Sequence, residues 1–203
     1  MSRNLQKQTF NQECLEAHNR LRALHGSKEL TLDPRLSEEA QKWADNLAAK
    51  GSLEHSKCNG YGENLAFRGT SGSAEFTGAE AADQWYQEIK NHNFNENDFQ
   101  PNSGHFSQLL WNESSRCGFG KSYSPDRKNI YVVGRYQPPG NTDGEYSKNV
   151  LPQGKNQPPA GSNAPSARHA EDYRKKGDMP HEEETRFRKT QKVIIVREYE
   201  DHR

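Results

Sequence analysis

Four side chains in this sequence have the chemistry to ligate a cation or move a proton. They are His55 in Leu53-Glu54-His55, Glu63 in Gly62-Glu63-Asn64-Leu65, Glu88 in Tyr86-Gln87-Glu88-Ile89 and His105 in Gly104-His105-Phe106. Imidazole and carboxylate are the groups that serve as general acids and bases and that bind divalent ions. Each sits beside apolar or small neighbours. Glu88, three residues after Trp85, falls on or next to the buried face of its helix, and His105 falls in the first turn of another. Spacing alone leaves the four on separate segments and does not force them together. Satisfied or solvent-facing polar residues are the plainer reading of the pattern. Ser56, Ser103 and Ser107 lie near these segments, but none has the GxSxG setting that exposes an activated serine. Cys58, before Gly60-Tyr61-Gly62, reads as a passive thiol.

The elements that must carry these residues are visible as periodicities. A first helix is expected to open at Thr9, with Gln12 completing a capping box, and to place Phe10, Cys14, Ala17, Leu21 and Leu24 on one stripe that Gly26 ends. Asp33-Pro34 is an N-cap with proline at the first helical position. Leu36, Ala40, Trp43 and Leu47 follow as the next stripe, and Gly51 stops it. A third helix starts near Thr77 with Glu80 as its box partner and buries Ala81, Trp85 and Ile89. A shorter one begins at Ser103 and carries Phe106, Leu109 and Leu110. Cys117 to Ser122 and Ile130 to Tyr136 read as strands joined by the turn Ser124-Pro125-Asp126-Arg127, an antiparallel hairpin, with Glu63 to Arg68 as a third strand. Helices first and a hairpin late give an α+β layered fold.

Composition sets the limits. Only 30% of the 203 residues are apolar, too few for a chain folded throughout. After Pro152 the sequence turns to Pro, Gly, Asn, Gln and Ser, then to dense charge of both signs, interrupted by Lys192 to Tyr199, KVIIVREY. Residues 8–152 are therefore expected to fold and 153–203 to form a mostly disordered tail, a candidate contact for a protein partner. The 28 basic residues balance the 28 acidic ones, so no global field favours nucleic acid. Cys14, Cys58 and Cys117 are odd in number with no CxxC pair, the pattern of free thiols in a reducing compartment. The N-terminus, MSRNLQKQTFNQEC, has no apolar h-region, and Ser2 stands where myristoylation needs glycine. The expected location is the cytoplasm or the Golgi surface, with the extracellular space by unconventional export as the alternative.

The segment SGHFSQLLW, Ser103 to Trp111, is similar to the GHF[TS]Q motif of the CAP superfamily, the SCP domain of cysteine-rich secretory, antigen 5 and pathogenesis-related proteins. YGENLAF resembles that family's GENLA element, and Trp85-Tyr86 with Glu88, Asn91 and Phe94 resembles its W-[YF]-x-E helix. AHNRLRALHG, with His18, Asn19 and Arg22, resembles its opening helix, and RYQPPGN and KNVLP resemble the ending of its Golgi-associated plant pathogenesis-related subgroup. The likeness runs from about Phe10 to Pro152. It implies an α–β–α sandwich, a short antiparallel sheet between helical layers, with a cleft lined by His55, Glu63, Glu88 and His105. It implies a non-enzymatic binding role at anionic membrane surfaces, with lipids such as sterols or fatty acids, or with protein partners including a second copy. Zn²⁺ on His55 and His105 is the cofactor it suggests, and a divalent-metal-dependent hydrolase using the same tetrad is the alternative. The chain departs from the pattern in having few cysteines, with Gly134 before Arg135-Tyr136 where secreted members usually carry one, and in its long tail.

Overall fold

The computed structural model describes residues 3–57, 60–69 and 75–154. Helix α1 spans Arg3–Leu24, strand β1 Thr31–Leu32, α2 Pro34–Lys50, β2 Gly62–Gly69 and α3 Gly78–Tyr86. Short 3₁₀ turns at Gln87–Asn91 and Pro101–Ser103 lead to α4, Gly104–Leu110. Strands β3, Arg116–Tyr123, and β4, Asn129–Gln137, and a last turn of helix α5, Tyr146–Asn149, complete the order. The expected tail lies outside the described residues from 155 onward, as do KVIIVREY and Cys58.

Local chemistry explains most of these bounds. Asp33 caps α2 by accepting from the Arg35 and Leu36 amides, and Gly51, at φ 71°, closes it in the left-handed region. Thr77 and Glu80 form a full capping box on α3. The expected start of α1 needs correction: the helix begins six residues before Thr9, whose hydroxyl donates to the Leu5 carbonyl at 2.9 Å. A threonine satisfied by the preceding turn does not cap.

The sheet runs β1-β3-β4-β2. Strands β3 and β4 form the expected hairpin and β2 adds antiparallel to β4, with Glu63 opposite Arg135. The two-residue β1 lies parallel to β3, which makes that edge mixed. Alternation along β4 divides the core. Tyr131 and Val133 face α2 with Ala40, Ala44, Leu47 and Leu65. Ile130, Val132 and Tyr136 face the other way, against residues of α1, α3 and α4 such as Phe10, Trp85 and Phe106. One helix therefore covers one face and three cover the other, the α–β–α sandwich. Glycines let α2 lie directly on β3: a Cβ at Gly118 would stand 2.1 Å from the Ser37 nitrogen, and one at Gly120 2.4 Å from the Gln41 Cα.

The opening-helix residues act as clamps in this core. Asn19 bonds both backbone groups of Leu30, at 2.8 and 3.0 Å. Arg22, fully buried, donates to the carbonyls of Lys28, Leu109, Trp111 and Ser114 at 2.7–3.0 Å, and burial lowers its pKa to about 10. Cys14 and Cys117 are buried free thiols, and burial pushes Cys117 up to about 12, which leaves it protonated and inert.

Candidate functional site

Each of the four singled-out residues is placed by a different element: His55 by the loop after α2, Glu63 by the start of strand β2, Glu88 by the 3₁₀ turn after α3, His105 by the first turn of α4. The structure brings them together as two pairs. His55 Nδ1 lies 2.9 Å from Glu63 Oε1, and His105 Nδ1 lies 2.7 Å from Glu88 Oε1. Asn64, next to Glu63 on β2, connects the strand to α4 by donating to the His105 carbonyl at 2.9 Å.

Glu63 has its acceptor capacity filled, and Glu88 accepts three hydrogen bonds. Glu63 Oε1 also accepts from the Ser56 amide at 2.9 Å. Its Oε2 accepts from the Ser56 hydroxyl at 2.7 Å and from Arg135 at 3.2 and 3.3 Å. Burial pushes the Glu63 pKa up, but the hydrogen bonds from His55 and from Ser56 outweigh it, and the carboxyl titrates below its usual range. Glu88 Oε2 accepts from the His105 and Phe106 amides at 3.0 and 3.3 Å. Carboxylates held this way orient the imidazoles beside them. The nearby serines are likewise engaged: Ser107 donates to Asn141 at 2.6 Å and Ser103 shares a proton with His92 at 2.9 Å.

Arg135, Trp43 and Tyr61 are participants that sequence reasoning did not place in the site, and Ser56, weighed there only as a nucleophile, serves as a donor to Glu63. Arg135 leaves β4 on the face of Tyr131 and Val133, with a side chain only 5% exposed. It stacks on Tyr61 at 4.1 Å and reaches Glu39 at 3.6 Å in addition to Glu63. The signal was present in the alternation of β4, because a charge on a buried face requires a partner. Beside this cluster, α2, residues 54–57 and Tyr61 line an open groove of about 940 Å³. Its lining includes Lys42, Trp43, Lys50, His55, Lys57 and Arg135, and also the carboxylates Glu39 and Glu54. The Trp43 indole N–H donates to the Glu54 carbonyl at 3.1 Å, which leaves the ring as a wall with Lys50 near it. Of the four pair residues, His55 lines the groove and Glu63 stands behind it, 7% exposed.

The donor set fits a divalent cation in kind. With Nδ1 of each imidazole turned to a carboxylate, Nε2 of His55 and of His105 is the atom that would hold such an ion, as in zinc-binding histidines whose other nitrogen bonds a carboxylate. Among the described residues no group of three or more His, Cys, Asp and Glu gathers to complete a protein-only site.

One helix and three helices on opposite faces of a small sheet, with two imidazole–carboxylate pairs near the start of β2, define an SCP-type sandwich domain. The family model for CAP, the cysteine-rich secretory protein family, matches residues 15–136, and the chain belongs to that family. Human Golgi-associated plant pathogenesis-related protein 1 is 40% identical over 157 residues, covering 75% of this chain and 98% of that protein. Among solved structures, BmVAL-1 superposes with a TM-score of 0.57 at 22% identity, covering 67% of this chain and 80% of that one. NaASP2 with Zn2+ superposes with a TM-score of 0.54 at 24% identity, covering 76% and 88%. Members of the family are in general non-enzymatic binding or secreted domains. Among the described residues no helix is long and apolar enough to cross a membrane.

Proposed function

We propose that the protein is a non-enzymatic binding domain whose groove beside His55 docks on anionic headgroups at a membrane surface. The observation that carries this reading is the set of lysines on the groove walls. Lys57 has no ion pair among the described residues, while Lys42 and Lys50 are held only by exposed glutamates at 2.7 Å. Exposed pairs of that kind contribute little, so a phosphate can recruit both lysines at small cost. Arg135 and Tyr61 stiffen the opposite wall, and the Trp43 ring suits the interface between headgroup and acyl chain. A charged lining favours surface association over enclosing a sterol or fatty acid. The kinship to a Golgi-associated relative fits a peripheral location. Flotation with neutral vesicles and with vesicles containing anionic lipid tests the reading. At an ionic strength of about 0.01 M, where screening is weak, binding is expected only to the anionic set, and Lys42→Glu with Lys57→Glu is expected to abolish it. Equal flotation with both vesicle types, or none with either, refutes the role.

The two imidazole–carboxylate pairs favour a second reading, that His55 and His105 hold a divalent ion such as Zn²⁺. When bound, the ion would supply Lewis-acid character to the site. Equilibrium dialysis of zinc against the wild-type chain and His55→Ala with His105→Ala decides it; unchanged uptake by the double variant removes the idea.

A further inference from the structure

Five rings meet where α1, α3 and α4 converge: His25, Tyr86, His92, Phe94 and Phe106. Phe106 is at their centre, 5.8 Å from His25, 5.6 Å from Tyr86, 5.1 Å from His92 and 6.1 Å from Phe94. None of the five belongs to the groove or to the histidine–glutamate pairs. The two imidazoles in this box hold two different segments.

His25 holds residues 151–154. Its Nδ1 lies 2.5 Å from the Leu151 carbonyl, which only accepts, so the neutral ring carries its proton there. Nε2 then accepts from the Tyr86 hydroxyl at 2.9 Å, and the Tyr86 oxygen accepts from Gln153 Nε2 at 2.6 Å. One further bond, from the Gly154 amide to the Leu24 carbonyl at 3.3 Å, ties this strap to the end of α1. His92 holds the start of α4, through Nδ1 and the Ser103 hydroxyl at 2.9 Å.

A proton added to His25 disrupts this directional chain. Nε2–H would point at the Tyr86 oxygen, and the phenol proton would have to turn away from its acceptor. A proton on His92 places a second cation in the same box. Among the described residues no counter-charge answers either. On α1, Arg22 is spent on four carbonyls and Arg20 pairs with the exposed Asp83 of α3. On the turn after α3, Glu88 is spent on His105 and two amides, and Lys90 is exposed. His105 of α4 is turned to Glu88, and beside α5 Glu145 pairs with Lys148. Burial pushes His25 below the usual imidazole range, partly offset by the Leu151 carbonyl, and burial together with His25 does the same to His92.

We propose that His25 and His92 form an acid-sensitive latch: as they take up protons, residues 151–154 come off the end of α1 while the sheet stays folded. The strap yields first because few bonds hold it, whereas β3 and β4 share a full ladder. Its release opens His25 to water, the one solvent for a charge the box cannot pair.

Hydrogen exchange on the full chain at about pH 7.5 and about pH 5, corrected for intrinsic rates, tests this. Peptides covering 150–154 are expected to lose about tenfold in protection beyond any loss in β3 and β4, the scale of one proton over one pH unit. His25→Gln, which cannot be charged, is expected to hold or lack the strap equally at both pH values, and His92→Gln to reduce the loss. Should His25→Gln fail to fold, His92→Gln decides, with Tyr86→Phe expected to loosen the strap already at neutral pH. A strap equally protected at both pH values, a loss shared in full by the sheet, or the wild-type response in His92→Gln would each overturn the latch.

Discussion

Acid should destabilise this domain well before its carboxylates titrate, and His18 gives the size of the effect. The ring is fully buried, with Nδ1 2.7 Å from the Cys14 carbonyl and Nε2 2.8 Å from the Tyr136 hydroxyl. Trp85, Phe119 and Tyr136 enclose it at centroid distances of 5.9, 4.8 and 5.7 Å. Burial lowers its pKa from 6.5 to about 3, and among the described residues no carboxylate is there to stabilise the imidazolium. A group whose folded pKa is depressed stabilises the fold above its unfolded pKa and ceases to as pH falls towards the folded value. Between about pH 6.5 and pH 4.5 the unfolded chain therefore binds one proton that the native state refuses. That costs a factor of ten in the folding equilibrium per pH unit, about 3 kcal/mol over the interval. His25 and His92 are depressed in the same direction and steepen the upper part of the window. Against a domain stability of about 5–15 kcal/mol this is a large share. Urea unfolding followed by tryptophan fluorescence at closely spaced pH values reads the slope directly. His18→Gln should be less stable at pH 7 and should shed one proton's worth of slope. A wild-type stability that is flat from pH 7 to pH 5, or a variant slope equal to that of the wild type, would show that the burial argument is wrong.

Arg135→Gln leaves the Glu63 carboxylate buried with its cation removed, and is expected to cost about 3–5 kcal/mol, read as a drop in urea midpoint; loss under about 1 kcal/mol would mean that Ser56 and His55 suffice to hold it. Gly118→Ala drives a methyl into the Ser37 backbone, and overpacking of this kind is expected to destabilise by about 1–3 kcal/mol, whereas an unchanged melting temperature would mean that α2 can lift off β3 freely.

Much of this fold is written in short-range chemistry. Asp33-Pro34 with Gly51 bounds α2, and Thr77 with Glu80 starts α3, because each signal acts within one turn and the same residues carry it out in the structure. Thr9 misled because a threonine that donates to the previous turn looks, in sequence, the same as one that caps the next. Strand β1 has no periodicity to read: two residues pair with Arg116 and Cys117, more than eighty positions away. The site divides along the same line. Residue types and the family resemblance single out the histidines and glutamates, but whether a carboxylate is a base or a holder depends on how many donors reach it. For Glu63 those donors come from His55 and Ser56 and from the opposite strand, and for Glu88 from the first turn of a later helix. Arg135 decides the matter for Glu63. Its place in β4 announced a buried charge in need of a partner, yet only the antiparallel register that sets it opposite Glu63 says which partner it finds. Acceptor saturation is thus a property of the tertiary register. A reading that stops at residue types will assign acid–base chemistry to a group such as Glu63, whose lone pairs are already spent.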